Sequence, residues 1–306
     1  MYVLPDKGIR PSRSVHNCDI IAIADWILAS ALFSEEDVSR ADVLDALMES
    51  QAYSDQKFCQ EFVADVWRLL ENFFEEIHSP CLEYHSRAIR SNAPWQSDQA
   101  LSYCIAASLR LIYEAWSKQC GDYVQQGQIL EELTRLSLGS HHPNITFKTT
   151  GWSGVTSNLK FNQLVNQICN DANFTEQNLT LWDTGAVKDK GLDVYGYFQS
   201  KGRRPSAPFL MFQCASGGNW RDKRGTPDLN IWKDIMQTYS MPVRGMSIPF
   251  LVNEVDFQHS LIIIQGPLLD RSTLLSGING NGALGQDLED SINDWVGSRI
   301  DKLEPL

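Results

Sequence analysis

Two polar residues, Asp193 and Gln213, adjoin apolar stretches that have the composition of β-strands. Residues 194–198 (VYGYF) are mostly β-branched or aromatic, and residues 209–212 (FLMF) form the kind of continuous apolar run found in strands covered on both faces. Residues 199–207 contain Gly, Pro and three basic residues, which predicts a hairpin loop. A hairpin would bring the start of the first strand, with Asp193, beside the end of the second, with Gln213. Burying such groups without a partner is costly, so we expect a ligand to bind there.

Composition restricts the class of protein. The chain has 306 residues, of which 43% are hydrophobic and 21% charged, as in an ordinary soluble globular protein of about two domains. The net charge of −12 argues against a protein that coats nucleic acid indiscriminately, but it allows a local basic channel. The seven cysteines are scattered and contain no CxxC pair, which favours a reducing cytoplasm over a disulfide framework or a zinc site. Because we find neither a membrane-length apolar run nor a signal-peptide pattern, we predict a cytoplasmic protein without a membrane partner.

The order of predicted elements indicates three regions. Residues 1–18 are polar, contain two prolines and are predicted to form an N-terminal arm, whereas residues 19–120 have helical periodicity and an acidic excess, typical of an all-α bundle of about four helices. Residues 121–306 alternate between helical periodicity and strand-like apolar runs. Helices are predicted there over residues 127–138, 158–169, 228–239 and 286–303, and strands over 146–150, 194–198, 209–212, 243–252 and 261–264. This order predicts an α/β domain.

A third polar residue, Glu131, adjoins the apolar face of the helix predicted over residues 127–138. This helix contains Gly-x-x-Leu-Glu, and it is followed by a strand with Gly-x-Asp and by an apolar strand that ends in Gln. Together these elements resemble the PD-(D/E)xK, or restriction-endonuclease-like, nuclease superfamily. The resemblance covers about residues 120–306 and implies a central mixed sheet flanked by helices. Asp193 and Gln213 fill the first two places of the motif, and Glu131 matches the helix carboxylate of several branches. Residues 213–220, with Lys223 after them, are also similar to members that serve bacterial antiphage defence.

The resemblance implies hydrolysis of phosphodiester bonds with one or two Mg²⁺ (or Mn²⁺) ions held by oxygen ligands. Asp193 would be the central metal ligand, with Glu131 and the side-chain oxygen of Gln213 completing the protein's share. A nearby lysine would orient the attacking water and offset charge on the phosphate.

The lysine is the departure from the motif, because the position two residues after Gln213 is Ala215. The resemblance allows this lysine to come from a neighbouring element. Lys190, Lys223 and Lys188 are the candidates, and Lys190 is slightly favoured over Lys223.

Residues 188–224 contain eight Lys or Arg against three Asp, a net charge of +5 in a chain of −12. A basic segment around the proposed metal ligands is what a phosphate channel would need, although hairpin tips and turns are often charged simply because they are solvated. Trp220 in this segment either stacks on a base or plugs the edge of the core.

We therefore predict a Mg²⁺-dependent endonuclease acting on DNA, the effector of an antiphage or anti-plasmid system. By analogy, its helical domain would restrain it or dock a protein partner such as a sensor or an ATPase, and homo-oligomerisation is left open. Because of Ala215, a catalytically degenerate nuclease-fold subunit that acts as a scaffold or DNA-binding partner is the alternative. A third reading is an α/β interaction protein, in which Glu131, Asp193 and Gln213 would not converge.

Overall fold

The computed structural model describes residues 1–9, 16–114, 123–150, 160–182, 190–198, 202, 204–279 and 284–303. Within them the chain is mixed α/β, with eleven α-helices and two sheets. The helices are α1 (Ile20–Ser34), α2 (Arg40–Glu49), α3 (Gln56–Glu76), α4 (Gln99–Ile112), α5 (Tyr123–His141), α6 (Phe161–Ala172), α7 (Leu179–Trp182), α8 (Leu229–Ile235), α9 (Glu254–Ile264), α10 (Arg271–Asn279) and α11 (Gln286–Ile300). The strands are β1 (Val38–Ser39), β2 (Leu82–His85), β3 (Ala88–Ser91), β4 (Thr146–Thr149), β5 (Val194–Tyr197), β6 (Leu210–Cys214), β7 (Val243–Ser247) and β8 (Leu268–Leu269).

The chain divides into two compact units. The first unit consists of Met1–Asp122, Pro249–Leu251 and Ala283–Leu306, and the second of Tyr123–Ile248 and Val252–Gly282. The boundary near residue 122 lies within two residues of the predicted one. The end of the chain differs from the prediction, because α11 packs on α4 in the first unit, where the rings of Trp295 and Tyr103 lie 5.2 Å apart. The apolar face of α11 is thus buried in the first unit.

The first unit is organised around α1, which is buried along most of its length between α3 and α4. Asp19 caps this helix by accepting hydrogen bonds from the backbone N–H groups of Ile21 and Ala22. Although α1 is the most apolar helix, no helix in the described part of the chain is long and apolar enough to cross a membrane.

The prediction that the first unit is all-α is wrong. Its strands β1, β3 and β2 form an antiparallel sheet in that order. These strands have two to four residues each, which is too short for a period of two to be visible in the sequence. The predicted N-terminal arm also packs on this unit in its described part. The indole N–H of Trp26 donates to the carbonyl of Tyr2 at 2.8 Å, and the N–H of Lys7 donates to the carbonyl of Ile112 at 3.0 Å.

The second unit contains a mixed five-stranded sheet in the order β4-β5-β6-β7-β8. The first three strands are antiparallel, and β6, β7 and β8 run parallel to one another. The side chains of α6 and α8 share one apolar cluster with one face of β5 and β6, and α5 contacts β4, β5 and β6. A mixed α/β sheet packed with helices is confirmed, and its restriction-endonuclease-like identity stays a prediction.

The strand predicted over residues 261–264 is wrong, because these residues form the last turn of α9. Asn253 caps that helix by accepting from the N–H of Asp256 at 2.9 Å, and the helix ends at Gln265 in the left-handed conformation. A run such as LIII fits a strand or a buried helix equally well by periodicity. The edge strand is β8, four residues further along.

A candidate active site at one end of the second sheet

Three polar residues lie side by side at one end of strands β4, β5 and β6. The N–H of Thr150 donates to the carbonyl of Asp193, and the N–H of Asp193 donates to the carbonyl of Phe212, both at 2.9 Å. The strand register continues this pairing, so that Asp193 lies between Thr150 and Gln213. All three are buried, with exposed fractions of 3% for Thr150, 8% for Asp193 and 7% for Gln213. We refer to these three residues as the polar row.

Alternation along the strands places Asp193 and Gln213 on the same face of the sheet. Asp193 precedes Tyr195 by two residues, and Gln213 follows Met211 by two. Tyr195 and Met211 both belong to the apolar cluster shared with α6 and α8. Because side chains two residues apart on a strand share a face, the polar row continues this buried face to the end of the sheet.

The Gln213 amide holds the Asp193 carboxylate. Its Nε2 donates to Asp193 Oδ2 and, at 3.0 Å, to the carbonyl of Cys214, and the N–H of Cys214 donates to the same Asp193 oxygen at 2.6 Å. A carbonyl and an ionised carboxylate only accept hydrogen bonds, so the nitrogen end of the amide must face them. The amide nitrogen, and not the oxygen that was predicted to be a metal ligand, therefore faces Asp193.

The oxygen end of the Gln213 amide faces the turn before β5. Gly191 in this turn has a φ of +74°, and a Cβ atom at this position would lie 1.9 Å from the Thr226 methyl carbon and 2.9 Å from Gln213 Oε1. Only glycine combines the left-handed conformation with so close an approach. The turn can therefore pack against the oxygen end of the Gln213 amide, while the nitrogen end donates to Asp193.

Glu131 reaches the same end of the sheet from α5, where it is 8% exposed. Thr134, on the same helix as Glu131, contacts the end of β6, because its Oγ1 lies 3.5 Å from the Sγ of Cys214. Burial raises the pKa of this thiol well above its ordinary value, and the negative charges of Asp193 and Glu131 raise it further. Glu131 lies one turn before Thr134 on α5 and is therefore near the part of the helix that contacts Cys214, whereas Asp193 and Gln213 are hydrogen-bonded to each other. That the three residues share a metal stays a prediction. The raised pKa keeps Cys214 protonated, which suits a core residue rather than a nucleophile.

The two predicted lysines have different positions. The amino group of Lys190 lies 5.0 Å from the ring centre of Trp182 and 5.4 Å from that of Phe161, a cation–π arrangement. Lys223 ends the 3₁₀ turn that follows β6 and is half-buried. Its carbonyl accepts from the N–H of Thr226 at 2.9 Å. The third candidate, Lys188, lies outside the described residues.

The described part of the basic segment includes a turn that is tied to α9. Arg221 pairs with Asp256 at 2.5 Å and lies 4.5 Å from the ring centre of Trp220, and Arg224 donates to Ser260 Oγ at 3.3 Å. Trp220 is only 2% exposed, so it plugs the core and is not available to stack on a base. Three members of the segment lie outside the described residues: Lys188, Lys201 and Arg203.

Asp193 and Glu131 carry the oxygen donors that a hard divalent cation prefers. Mg²⁺ is commonly held by one or two carboxylates and completes its six-coordinate shell with water and substrate oxygens. Among the residues that the structure describes, no group of three or more His, Cys, Asp or Glu is arranged to hold a metal ion, so a cation here would depend on two carboxylates and other oxygen atoms.

The first unit contains an open cleft of different character. It has a volume of about 600 Å³ and is lined by Glu71, Glu75 and Glu83 together with the rings of Phe74 and Tyr84. Carboxylates repel phosphate groups, so this cleft does not suit a nucleic acid.

Comparison of the chain with protein-family models, curated proteins and solved structures finds no match. The superfamily assignment therefore stays a prediction, and the geometry of Glu131, Asp193 and Gln213 carries the functional argument. Sequence reasoning missed one member of the polar row, Thr150. The only signal for it was its position at the end of the strand predicted over residues 146–150, and strand order and register cannot be read from that.

Proposed function

We propose that the second unit is a metal-dependent endonuclease domain that hydrolyses phosphodiester bonds of DNA. The observation that carries the proposal is the buried, hydrogen-bonded pair of Asp193 and Gln213 at one end of a mixed sheet, with Glu131 buried on the helix that contacts β6. Two carboxylates are the share of ligands that proteins commonly supply to Mg²⁺. Apart from α6 and α7, which are inserted between β4 and β5, the order of α5, three antiparallel strands, α8 and the parallel strand β7 agrees with the resemblance.

In this mechanism Asp193 and Glu131 would hold the cation, which would polarise the phosphate as a Lewis acid and make a bound water more acidic. The N–H groups of Gln213 and Cys214 fix the Asp193 carboxylate in one orientation before any ligand arrives. Burial of the site strengthens each of these interactions. Lys223, on the turn after β6, is assigned to contact the substrate phosphate, because the amino group of Lys190 already lies over two aromatic rings.

The biological role belongs to the same proposal and rests on the resemblance. The chain would act as the effector of an antiphage or anti-plasmid system, and the first unit would dock a protein partner such as a sensor or an ATPase.

The second candidate function is a catalytically degenerate subunit that binds DNA or acts as a scaffold. The observation that favours it is Ala215, which occupies the place of the motif lysine and is 1% exposed. Without a positive side chain at this position, the domain would keep its carboxylates and its fold but lose most of the charge compensation that cleavage requires.

A cleavage assay separates the two functions. Supercoiled and linear DNA are incubated with the wild type, Asp193→Ala and the control Asp222→Ala in Mg²⁺ or Mn²⁺. Asp222 is an exposed carboxylate on the turn after β6. We expect metal-dependent cleavage by the wild type and the control, and none by Asp193→Ala.

Cleavage that survives Asp193→Ala would refute the assigned site. A wild type that binds DNA without cutting it would favour the degenerate subunit. A wild type that neither binds nor cuts DNA would exclude the nuclease and the DNA-binding subunit for the isolated chain, and would leave only the scaffold role.

A further inference from the structure

Thr150 has a buried hydroxyl group for which the described residues provide no hydrogen-bond partner. The residue is 3% exposed, and its Oγ1 has no hydrogen-bond partner in the part of the chain that the structure describes. Buried side-chain hydroxyls nearly always have such a partner, because an unsatisfied one loses its hydrogen bonds to water without replacement. This hydroxyl therefore requires an explanation.

The position of Thr150 in the sheet suggests the explanation. Its N–H pairs with the carbonyl of Asp193, so the two residues are cross-strand neighbours. Thr150 follows Lys148 by two residues, and the Lys148 amino group donates to Asp171 of α6. The Tyr195 hydroxyl donates to the same carboxylate. Thr150 thus shares the α6 face of the sheet with Asp193.

The neighbouring threonine provides a contrast. Thr149 lies on the opposite face, and its Oγ1 donates to Glu132 Oε1 at 3.2 Å. The same side chain is therefore satisfied at position 149 and unsatisfied at position 150. Valine has nearly the shape of threonine and would fill position 150 without an orphaned hydroxyl, so the folded chain alone gains nothing from the oxygen atom.

We propose that the Thr150 hydroxyl is a fourth polar group of the candidate site and forms a hydrogen bond to an oxygen atom of the bound ligand. That oxygen belongs either to a water on the divalent cation at Asp193 or to the phosphodiester. The inference rests on the proposed function, since both ligands are those of a metal-dependent nuclease. A hydroxyl group can donate to either oxygen. The Thr150 hydroxyl would do so beside the Asp193 carboxylate and the Gln213 amide of the polar row.

The test compares Thr150→Val with Thr149→Val in the full chain. Thermal unfolding is measured without metal and with MnCl₂, and binding of a fluorescein-labelled DNA duplex is measured without metal. We expect Thr150→Val to raise the metal-free Tm by about 2 °C, because it removes an unsatisfied group. It should weaken the response to Mn²⁺, the affinity for the duplex, or both by about threefold to tenfold. Thr149→Val should lower the Tm and keep both responses.

The outcomes are distinguishable. Weakening confined to Mn²⁺ assigns the hydroxyl to a metal-bound water, and weakening confined to the duplex assigns it to a phosphate oxygen. Unchanged responses in Thr150→Val overturn the inference, and so does a lowered metal-free Tm, which would show that the hydroxyl has a partner inside the protein. A wild type that responds to neither Mn²⁺ nor DNA overturns the proposed function and this inference together.

Discussion

Gln213→Glu is the substitution that tests the contact within the polar row most directly. Glutamate has nearly the shape of glutamine, so it places a carboxylate oxygen where the Gln213 nitrogen now donates to Asp193. Both positions are buried, with exposed fractions of 7% and 8%. Two ionised carboxylates at hydrogen-bonding distance repel each other, and burial also disfavours their charge, so the folded pair retains one proton at neutral pH.

The cost follows from the pKa of that proton. In the unfolded chain the carboxyl groups of Asp193 and of the new glutamate both have pKa values of about 4. Repulsion and burial together raise one pKa of the folded pair by about 3 units. The folded state then binds a proton that the unfolded chain has released, so stability is lost as the pH rises from about 4 to about 7. At about 1.4 kcal/mol per unit, the loss is about 4 kcal/mol at neutral pH.

Urea unfolding between pH 4.5 and 8 measures this loss for the wild type, Gln213→Glu and the control Gln213→Met. Methionine removes the N–H donors without adding a titratable group, so we expect its deficit to be nearly constant with pH. The deficit of the glutamate variant should grow with pH, and Mn²⁺ at pH 8 should restore part of it by replacing the proton. Parallel curves for the two variants would show that residue 213 does not contact Asp193, and the argument for the site would fail.

Three further substitutions test other parts of the structure. Tyr195→Phe removes the buried hydroxyl that donates to Asp171 Oδ2 at 2.7 Å, and should cost about 2 kcal/mol in urea unfolding; a cost near zero would show that this bond is absent. Burial raises the pKa of Asp98, so its contribution to stability falls as the pH rises above about 4. Asp98 caps α4 by accepting from the N–H of Leu101 at 3.1 Å, and asparagine keeps this cap. The Tm gain of Asp98→Asn over the wild type should be larger at pH 8 than at pH 4; a gain independent of pH would contradict the raised pKa. Lys190→Met should reduce DNA cleavage by less than about tenfold, whereas general acid–base or charge-stabilising roles are worth about a hundredfold or more.

The elements around the site were predictable because their local pattern and their burial agree. Residues 209–212 are apolar without interruption, and they lie in a strand that is covered on both faces. The helices predicted over residues 127–138 and 158–169 exist as α5 and α6, with boundaries that differ by a few residues. The pattern was insufficient where a tertiary feature decides. Asn253 starts a helix that includes the apolar run at residues 261–264, and the strands of the first unit are too short to show alternation.

The site was predictable only as a set of residue types at strand ends. Asp193 and Gln213 were recognisable because polar residues next to apolar strands are costly to bury. Thr150 was not, since its importance comes from strand order and from a register that pairs it with Asp193. The orientation of the Gln213 amide also required coordinates, because the positions of two acceptors determine which end of the amide faces the carboxylate.

The replacement of the motif lysine by Ala215 changes where positive charge can come from. The N–H of Ala215 donates to the carbonyl of Ser247 at 2.9 Å, which extends the β6–β7 pairing by one residue and leaves position 215 buried. The remaining lysines, Lys190 and Lys223, belong to two segments that meet at Thr226. Lys190 precedes the glycine that packs against the Thr226 methyl group, and the Lys223 carbonyl accepts from the Thr226 N–H. Since this glycine also lies close to Gln213, the two candidate lysines within the described residues lie on packed turns beside the site and not on the strand.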